Sequence, residues 1–261
     1  TPFEWHKELF SYAKEIGITI FSSPFDETAV DLLDALNVPA YKVASFEIID
    51  HPLIEYIAKK NKPIILSTGM ASINEISEAI EIIKNVNNNL DIMLLHCISS
   101  YPTTAAESNL NNILTLKKEF NVEVGLSDHT TDNLAAIVAI GIGAVAIEKH
   151  FKLDDRECGP DSSFSLNIQE LSKFVIDCKD AWRSKGTFEF QRSKDEKKNI
   201  VFRRSLYFIN DLKKGSTISE KDIKRIRPGY GLPPKFYKSI IGKKLNKDVE
   251  RGDPVIWDVL I

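Results

Sequence analysis

The sequence predicts an α/β chain: a (β/α)8 barrel lacking its first two β/α units, followed by a small domain of short strands. Three observations predict it. Six short β-rich apolar runs alternate with amphipathic segments of helical period. Nearly every run ends in a hydroxyl, an ammonium, a carboxylate or an imidazole. After Trp182 the alternation stops and gives way to a polar stretch, then to short runs rich in turn residues.

A helical segment, Phe3 to Glu15, opens the chain and leads into the first run, Ile18 to Phe21. The helical segment Glu27 to Leu36 precedes the run Tyr41 to Ala44, and Pro52 to Lys60 precedes Pro63 to Leu66. Ser72 and Glu75 form a capping box for the next helix, in which Ile73, Ile76, Ile80 and Ile83 keep the helical period to Lys84. Ile92 to Leu95, the helix Asn111 to Phe120, Val122 to Leu126, the helix Asp132 to Ile140 and Ala144 to Ile147 continue the alternation, and the helix Ile168 to Trp182 ends it. Apolar strands joined by crossover helices make a parallel sheet covered on both faces. A flat dinucleotide-binding sheet would carry a glycine fingerprint, and this chain has none.

Six of eight barrel units are visible, and the chain opens without methionine on a helical segment. About 80 residues carrying the first two strands are therefore expected upstream of Thr1. Residues 1–183 form the barrel, 184–203 read as a linker, and 204–261 form the small domain. Within that domain Ser205 to Ile209 reads as a strand, a helical turn is expected near Glu220, and Val255 to Leu260 reads as a last strand.

Composition bounds the function. With 261 residues, 43% hydrophobic and 27% charged, the chain can bury a large core, and a net charge of -3 gives no reason to expect nucleic acid or an anionic membrane as partner. No apolar stretch reaches the ~18 residues of a membrane span and no signal peptide opens the chain, so a cytoplasmic location is expected. Cys97, Cys158 and Cys178 are odd in number and match no zinc spacing, which reads as reduced thiols.

Barrel enzymes place their active sites at the carboxyl ends of the strands. There stand Ser22 and Ser23, Lys42 and Ser45, Ser67 and Thr68, His96 to Ser99, Ser127 and His129, and Glu148 and His150. One serine in such a place is more often a helix cap than a ligand, but several with a lysine suit a phosphate or carboxylate. His129 and His150, on what should be adjacent strand ends, can share one divalent metal, against the plainer reading of two polar surface residues. Glu148 is alternatively a partner of Lys42 or Lys149, and His6, His51 and His96 read as structural. Cys97 is a weak candidate nucleophile because no oriented base is visible beside it.

Six segments, Ser22-Ser-Pro-Phe25, Pro39-Ala-Tyr-Lys-Val-Ala-Ser45, Pro63-Ile-Ile-Leu-Ser-Thr-Gly-Met70, Gly125-Leu-Ser-Asp-His-Thr130, Glu148-Lys-His-Phe151 and Gly159-Pro-Asp161, together resemble the sialic acid synthase family. These are the phosphoenolpyruvate-dependent nonulosonic acid synthases. The tail, with Arg225-Ile-Arg-Pro-Gly-Tyr-Gly231, resembles their SAF (antifreeze-like) domain. Thr1-Pro-Phe-Glu-Trp-His6, Gly159 to Leu166 and Arg227 to Pro234 are most similar to the pseudaminic acid synthase branch.

The resemblance implies condensation of phosphoenolpyruvate with an N-acetylated amino sugar, here 2,4-diacetamido-2,4,6-trideoxy-altrose, to a nine-carbon 2-keto acid and phosphate. It implies that His129 and His150 hold a divalent metal, manganese first, with magnesium or cobalt as alternates. Lys42, Ser45, Ser67 and Ser127 would grip phosphoenolpyruvate, with Ser23 and Ser99 also on the substrate side. Glu47, Phe25, Tyr101 and Asp161 would contact the sugar, Glu47 joining the histidines as a catalytic group. Arg227 would reach the N-acetyl group across a domain-swapped homodimer. The family's first two strands carry a catalytic glutamate and a lysine for phosphoenolpyruvate, so a protein beginning at Thr1 is expected to have an open barrel and little activity. A neuraminate or legionaminic acid synthase would use the same site. The non-enzymatic alternative is an inactive fragment whose SAF domain binds carbohydrate.

Overall fold

Two helices and then alternating strands and helices fill the first 186 residues of the computed structural model, which describes all of residues 1–261 except 155, 157 and 158. Cys158 lies outside the described residues, while Cys97 and Cys178 are free thiols. The chain divides into two units, Thr1–Gly186 and Thr187–Ile261.

In the first unit the elements are α1 (Phe3–Ile16), α2 (Glu27–Ala35), β1 (Tyr41–Val43), α3 (His51–Ala58), β2 (Ile64–Ser67), α4 (Ile73–Val86), β3 (Ile92–Cys97), α5 (Asn112–Phe120), β4 (Glu123–Asp128), α6 (Leu134–Ile142), β5 (Ile147–Lys149) and α7 (Ile168–Ser184). The sheet is entirely parallel, in the order β1-β2-β3-β4-β5. Strands that neighbour each other in strict chain order form an arc of a barrel, since a doubly wound sheet reverses its order.

Side-chain caps set the helix starts. Asp26 and Asp50 accept from the amides of Ala29 and Leu53, and Ser72 with Glu75 closes the expected capping box. Asn167 and Glu170 form a second box at the start of α7. Val43, Leu66, Leu94 and Leu126 pack outward on a core with Ile54, Ile57, Ile76, Ile83 and Ile113 from the helices. Because strand side chains alternate, the neighbours Lys42, Ser67, Cys97 and Ser127 turn to the opposite face, toward the barrel interior.

Several elements differ from expectation. Residues 18–21 form no strand, and Ile18 and Phe21 are exposed. No ladder hydrogen bond joins them to β1 among the described residues, and apolar composition alone does not supply a pairing edge. β1 ends one residue earlier than predicted and β2 to β5 end later, so Ser127 and Glu148 lie within β4 and β5 rather than past them. The polar linker contains a capped helix, α8 (Lys194–Lys198).

The second unit pairs β6 (Ser205–Phe208) with β7 (Ile223–Ile226) in antiparallel register and adds a one-turn helix, α9 (Tyr237–Ile240). Its core gathers Leu206, Phe208, Ile218, Ile240, Leu245 and Val255. The expected helical turn near Glu220 is a non-helical turn, held where Asp222 accepts from the amide and hydroxyl of Ser219. Val255 to Leu260 is not a strand: isolated bridges flank a 3-10 turn at Trp257–Val259. No helix among the described residues is long and apolar enough to cross a membrane.

Candidate active site at the strand carboxyl ends

β1, β4 and β5 meet through one carboxylate. Glu148 accepts a 2.6 Å hydrogen bond from Ser127 through Oε1, and its Oε2 lies 3.5 Å from the buried Lys42 ammonium. Of the two partners foreseen for Glu148, the structure selects Lys42. The Lys42 side chain is 8% exposed, whereas that of Glu148 is 43% exposed.

A second group surrounds Gly69. Its amide donates to Ser45 Oγ at 3.1 Å, and a Cβ at this position would lie 2.3 Å from Ser99 Oγ and 2.8 Å from Ser45 Oγ. Only glycine lets the two hydroxyls converge this closely. Ser67 Oγ, Ser99 Oγ and Glu47 Oε2 are buried without a hydrogen-bond partner among the described residues. Buried polar atoms without partners are costly, and their concentration here suits a polar ligand.

The third group holds the imidazoles. His129 and His150 follow β4 and β5 directly, with ring centroids 5.2 Å apart. Tyr101 packs on His129 at 4.3 Å, and Phe164 lies 4.9 Å from His150 and 5.5 Å from Tyr101. His129 Nδ1 donates to the Ile98 carbonyl at 2.9 Å, which leaves Nε2 with its lone pair. His150 Nδ1 faces Asp161 at 3.5 Å. Burial, reinforced by the charge of His129, lowers the pKa of His150 and favours its ligand-competent neutral form.

Cys97 Sγ stands 4.0 Å from His129 Nδ1, so an imidazole does lie beside this thiol, contrary to the sequence reading. Burial pushes the thiol up, but hydrogen bonding with His129, Ser45 and Ser127 outweighs it and leaves Cys97 below its ordinary value. In His129 burial opposes the charge, and the contacts with Cys97 and the Ile98 carbonyl outweigh it to raise the pKa. The thiol thereby links the serines to the histidine pair.

The donor set fits a first-row divalent ion bound by two neutral imidazoles, with other ligands from water or substrate. Among the described residues no three His, Cys, Asp or Glu side chains cluster in ligating geometry.

The other predicted residues fall elsewhere. Ser23 and the exposed Phe25 lie on the irregular segment before α2, and Arg227 is exposed just past β7 in the second unit. His96 bonds the Ser108 carbonyl through Nε2 at 2.8 Å, His6 lies 3.0 Å from the Pro2 carbonyl, and His51 lies 3.6 Å from Glu78.

Comparison with known proteins decides the family. The family model described as "NeuB family" matches residues 1–190, and the "SAF domain" model matches residues 203–261. The chain belongs to the NeuB family. It is 44% identical over 253 residues to a pseudaminic acid synthase of Campylobacter jejuni, covering 97% of this chain and 74% of that protein. It is 40% identical to an N,N'-diacetyllegionaminic acid synthase of the same species, covering 95% and 75%. Its fold matches the crystal structure of N-acetylneuraminic acid synthetase from Leptospira borgpetersenii with a TM-score of 0.72 and 31% identity, over 77% of this chain and 70% of that one.

The sequence reading of this NeuB-family chain missed Gly69, Phe164, Asp128 and Lys149. Gly69 stands inside the quoted Ser67-Thr-Gly-Met70 segment, but its reason is the convergence of Ser45 and Ser99, visible only in three dimensions. Asp128 and Lys149 did have a signal: each immediately precedes one of the two histidines.

Proposed function

We propose that the chain is the catalytic and SAF portion of a pseudaminic acid synthase, joining phosphoenolpyruvate to 2,4-diacetamido-2,4,6-trideoxy-altrose. The carrying observation is the junction at one mouth of an anion-binding set, Lys42 with the hydroxyls of Ser45, Ser67, Ser99 and Ser127, and an imidazole pair. The 44% identity to proteins of that name supports the choice of sugar over the legionaminic alternative at 40%.

The enol carbon of phosphoenolpyruvate forms a bond to the aldehyde carbon of the open-chain sugar, water adds to the resulting cationic carbon, and the carbon–oxygen bond to phosphate breaks. Lys42 and the serines hold the anionic substrate in attack geometry, which turns a bimolecular encounter into a positioned one. Glu47, whose Oε2 lacks a partner, would accept from a sugar hydroxyl, and Tyr101 would cover the reacting aldehyde from water. A manganese ion, or magnesium or cobalt, held by His129 and His150 would supply Lewis acidity toward the aldehyde oxygen. Dimerisation belongs to the same proposal, with Arg227 supplied in trans for the N-acetyl group.

The test is a substrate panel read by 2-keto acid formation and phosphate release, run on this chain and on a version extended upstream of Thr1. Manganese-dependent product from the altrose sugar, abolished in His129→Ala, is the expected result. Product from the legionaminic or neuraminic precursor alone would reassign the sugar, and no product from the extended version would overturn the proposal.

A further inference from the structure

β4 and β5 present two faces with different chemistry. In the parallel register Ser127 pairs with Glu148 and Asp128 with Lys149. Ser127, Glu148 and the histidines that follow are turned to the mouth, and the alternation of a strand sends Asp128 and Lys149 to the other side. There they form an ion pair at 2.8 Å with side chains only 1% and 2% exposed. Lys149 Nζ lies 5.8 Å from the centroid of the Phe174 ring of α7.

The pair does more than satisfy itself. Lys149 Nζ also donates to the carbonyl oxygens of Thr130 and Asp132, at 2.5 and 3.3 Å, and Asp128 Oδ1 accepts from the Thr130 amide at 2.9 Å. His129 is thus bracketed: the residue before it and the residues after it are tied to the same ammonium, and that ammonium belongs to the residue before His150. Gly125 lets the two strands approach, since a Cβ there would sit 2.6 Å from the Ala146 carbonyl. A slip of one residue in either strand would turn the imidazole that follows it out of the mouth.

We infer that Asp128 and Lys149 are positioning residues for the imidazole pair, a buried ion pair that sets the spacing of His129 and His150 and hence the affinity for a divalent cation. The inference rests on the metal role proposed above for those histidines. A buried ion pair adds little stability over well-packed neutral residues, so its presence here is better explained by the register and loop it fixes.

Manganese(II) binding to the full chain, followed by the loss of the free-ion paramagnetic resonance signal, tests this without any turnover. The double variant Asp128→Asn with Lys149→Met removes both charges together, and its thermal midpoint and circular dichroism report the fold. The expected result is a parent-like fold with manganese affinity about 10- to 100-fold weaker. The conservative Lys149→Arg, which keeps the charge, should recover part of the affinity. A folded double variant with the parent's dissociation constant would overturn the inference. If the double variant does not fold, Asp128→Glu moves the carboxylate by one methylene while keeping both charges; weaker binding supports the inference and unchanged binding overturns it. Absence of manganese binding by the parent chain would remove the metal reading and this inference together, whereas binding that is equal in parent and variants removes the inference alone.

Discussion

Ser127 holds the Glu148 carboxylate from the adjacent strand through a 2.6 Å hydrogen bond, while the other carboxylate oxygen faces Lys42 at 3.5 Å. The serine therefore governs how far Glu148 can neutralise Lys42, the cation proposed above to bind phosphoenolpyruvate. Ser127→Ala frees the carboxylate to close on Lys42. The loss of a hydrogen bond to a charged group, of order 1.5 kcal/mol, should raise KM for phosphoenolpyruvate about tenfold with a smaller change in kcat. Steady-state kinetics with phosphoenolpyruvate varied decides it, and a parent-like KM would reject the role.

Gly69→Ala is expected to be far more damaging than its size suggests. The added methyl would enter the space between Ser45 Oγ and Ser99 Oγ, at 2.8 and 2.3 Å, and spread the two hydroxyls. Displacement of about 1 Å at a substrate-orienting group costs roughly a hundredfold in rate. Turnover should fall by that order while the circular dichroism spectrum stays unchanged; a variant with near-parent turnover would show that the hydroxyls do not act as a pair.

Stability should decline on mild acidification, and His96 should account for part of the decline. Burial lowers its pKa in the folded chain, against the opposing effect of the Ser108 carbonyl, so the unfolded state takes up a proton at higher pH than the folded state does. The contribution is complete above the ordinary histidine value of about 6.5 and is lost as pH falls below it toward the lowered value. Thermal midpoints measured between neutral pH and about pH 5 should drop less steeply in His96→Gln, whose amide can still donate to Ser108. Equal slopes would assign the acid sensitivity to other groups.

In the second unit Gly231→Ala should destabilise by several kcal/mol, about 3 in order of magnitude, because the new Cβ would lie 2.2 Å from the Leu206 carbonyl and 3.1 Å from that of Val255. Those carbonyls are backbone, Leu206 within β6 and Val255 accepting from the Leu232 amide, and cannot yield as a flexible side chain would. Calorimetry of the full chain is the measurement, and an unshifted transition for the second unit would refute it.

Much of this was legible in the sequence because it is local. The capping box of Ser72 with Glu75, the apolar faces of α4 and α7, and the polar residue closing each strand are set by neighbours a few positions away. The segment Ile18 to Phe21 has strand composition, yet pairing is a property of two segments and the sequence shows one. The Glu148 partner was a choice between two lysines until the register put Lys42 beside it and sent Lys149 to Asp128. Cys97 looked isolated because His129, its imidazole neighbour, is 32 residues away.

The partnerless oxygens of Glu47, Ser67 and Ser99 give the mouth an unusual thermodynamic position. A guest that supplies their hydrogen bonds acts as the last layer of the interior, so occupancy and folding become one linked equilibrium. The concentration of such a guest would then add to the free energy of unfolding as well as to the occupancy of the mouth.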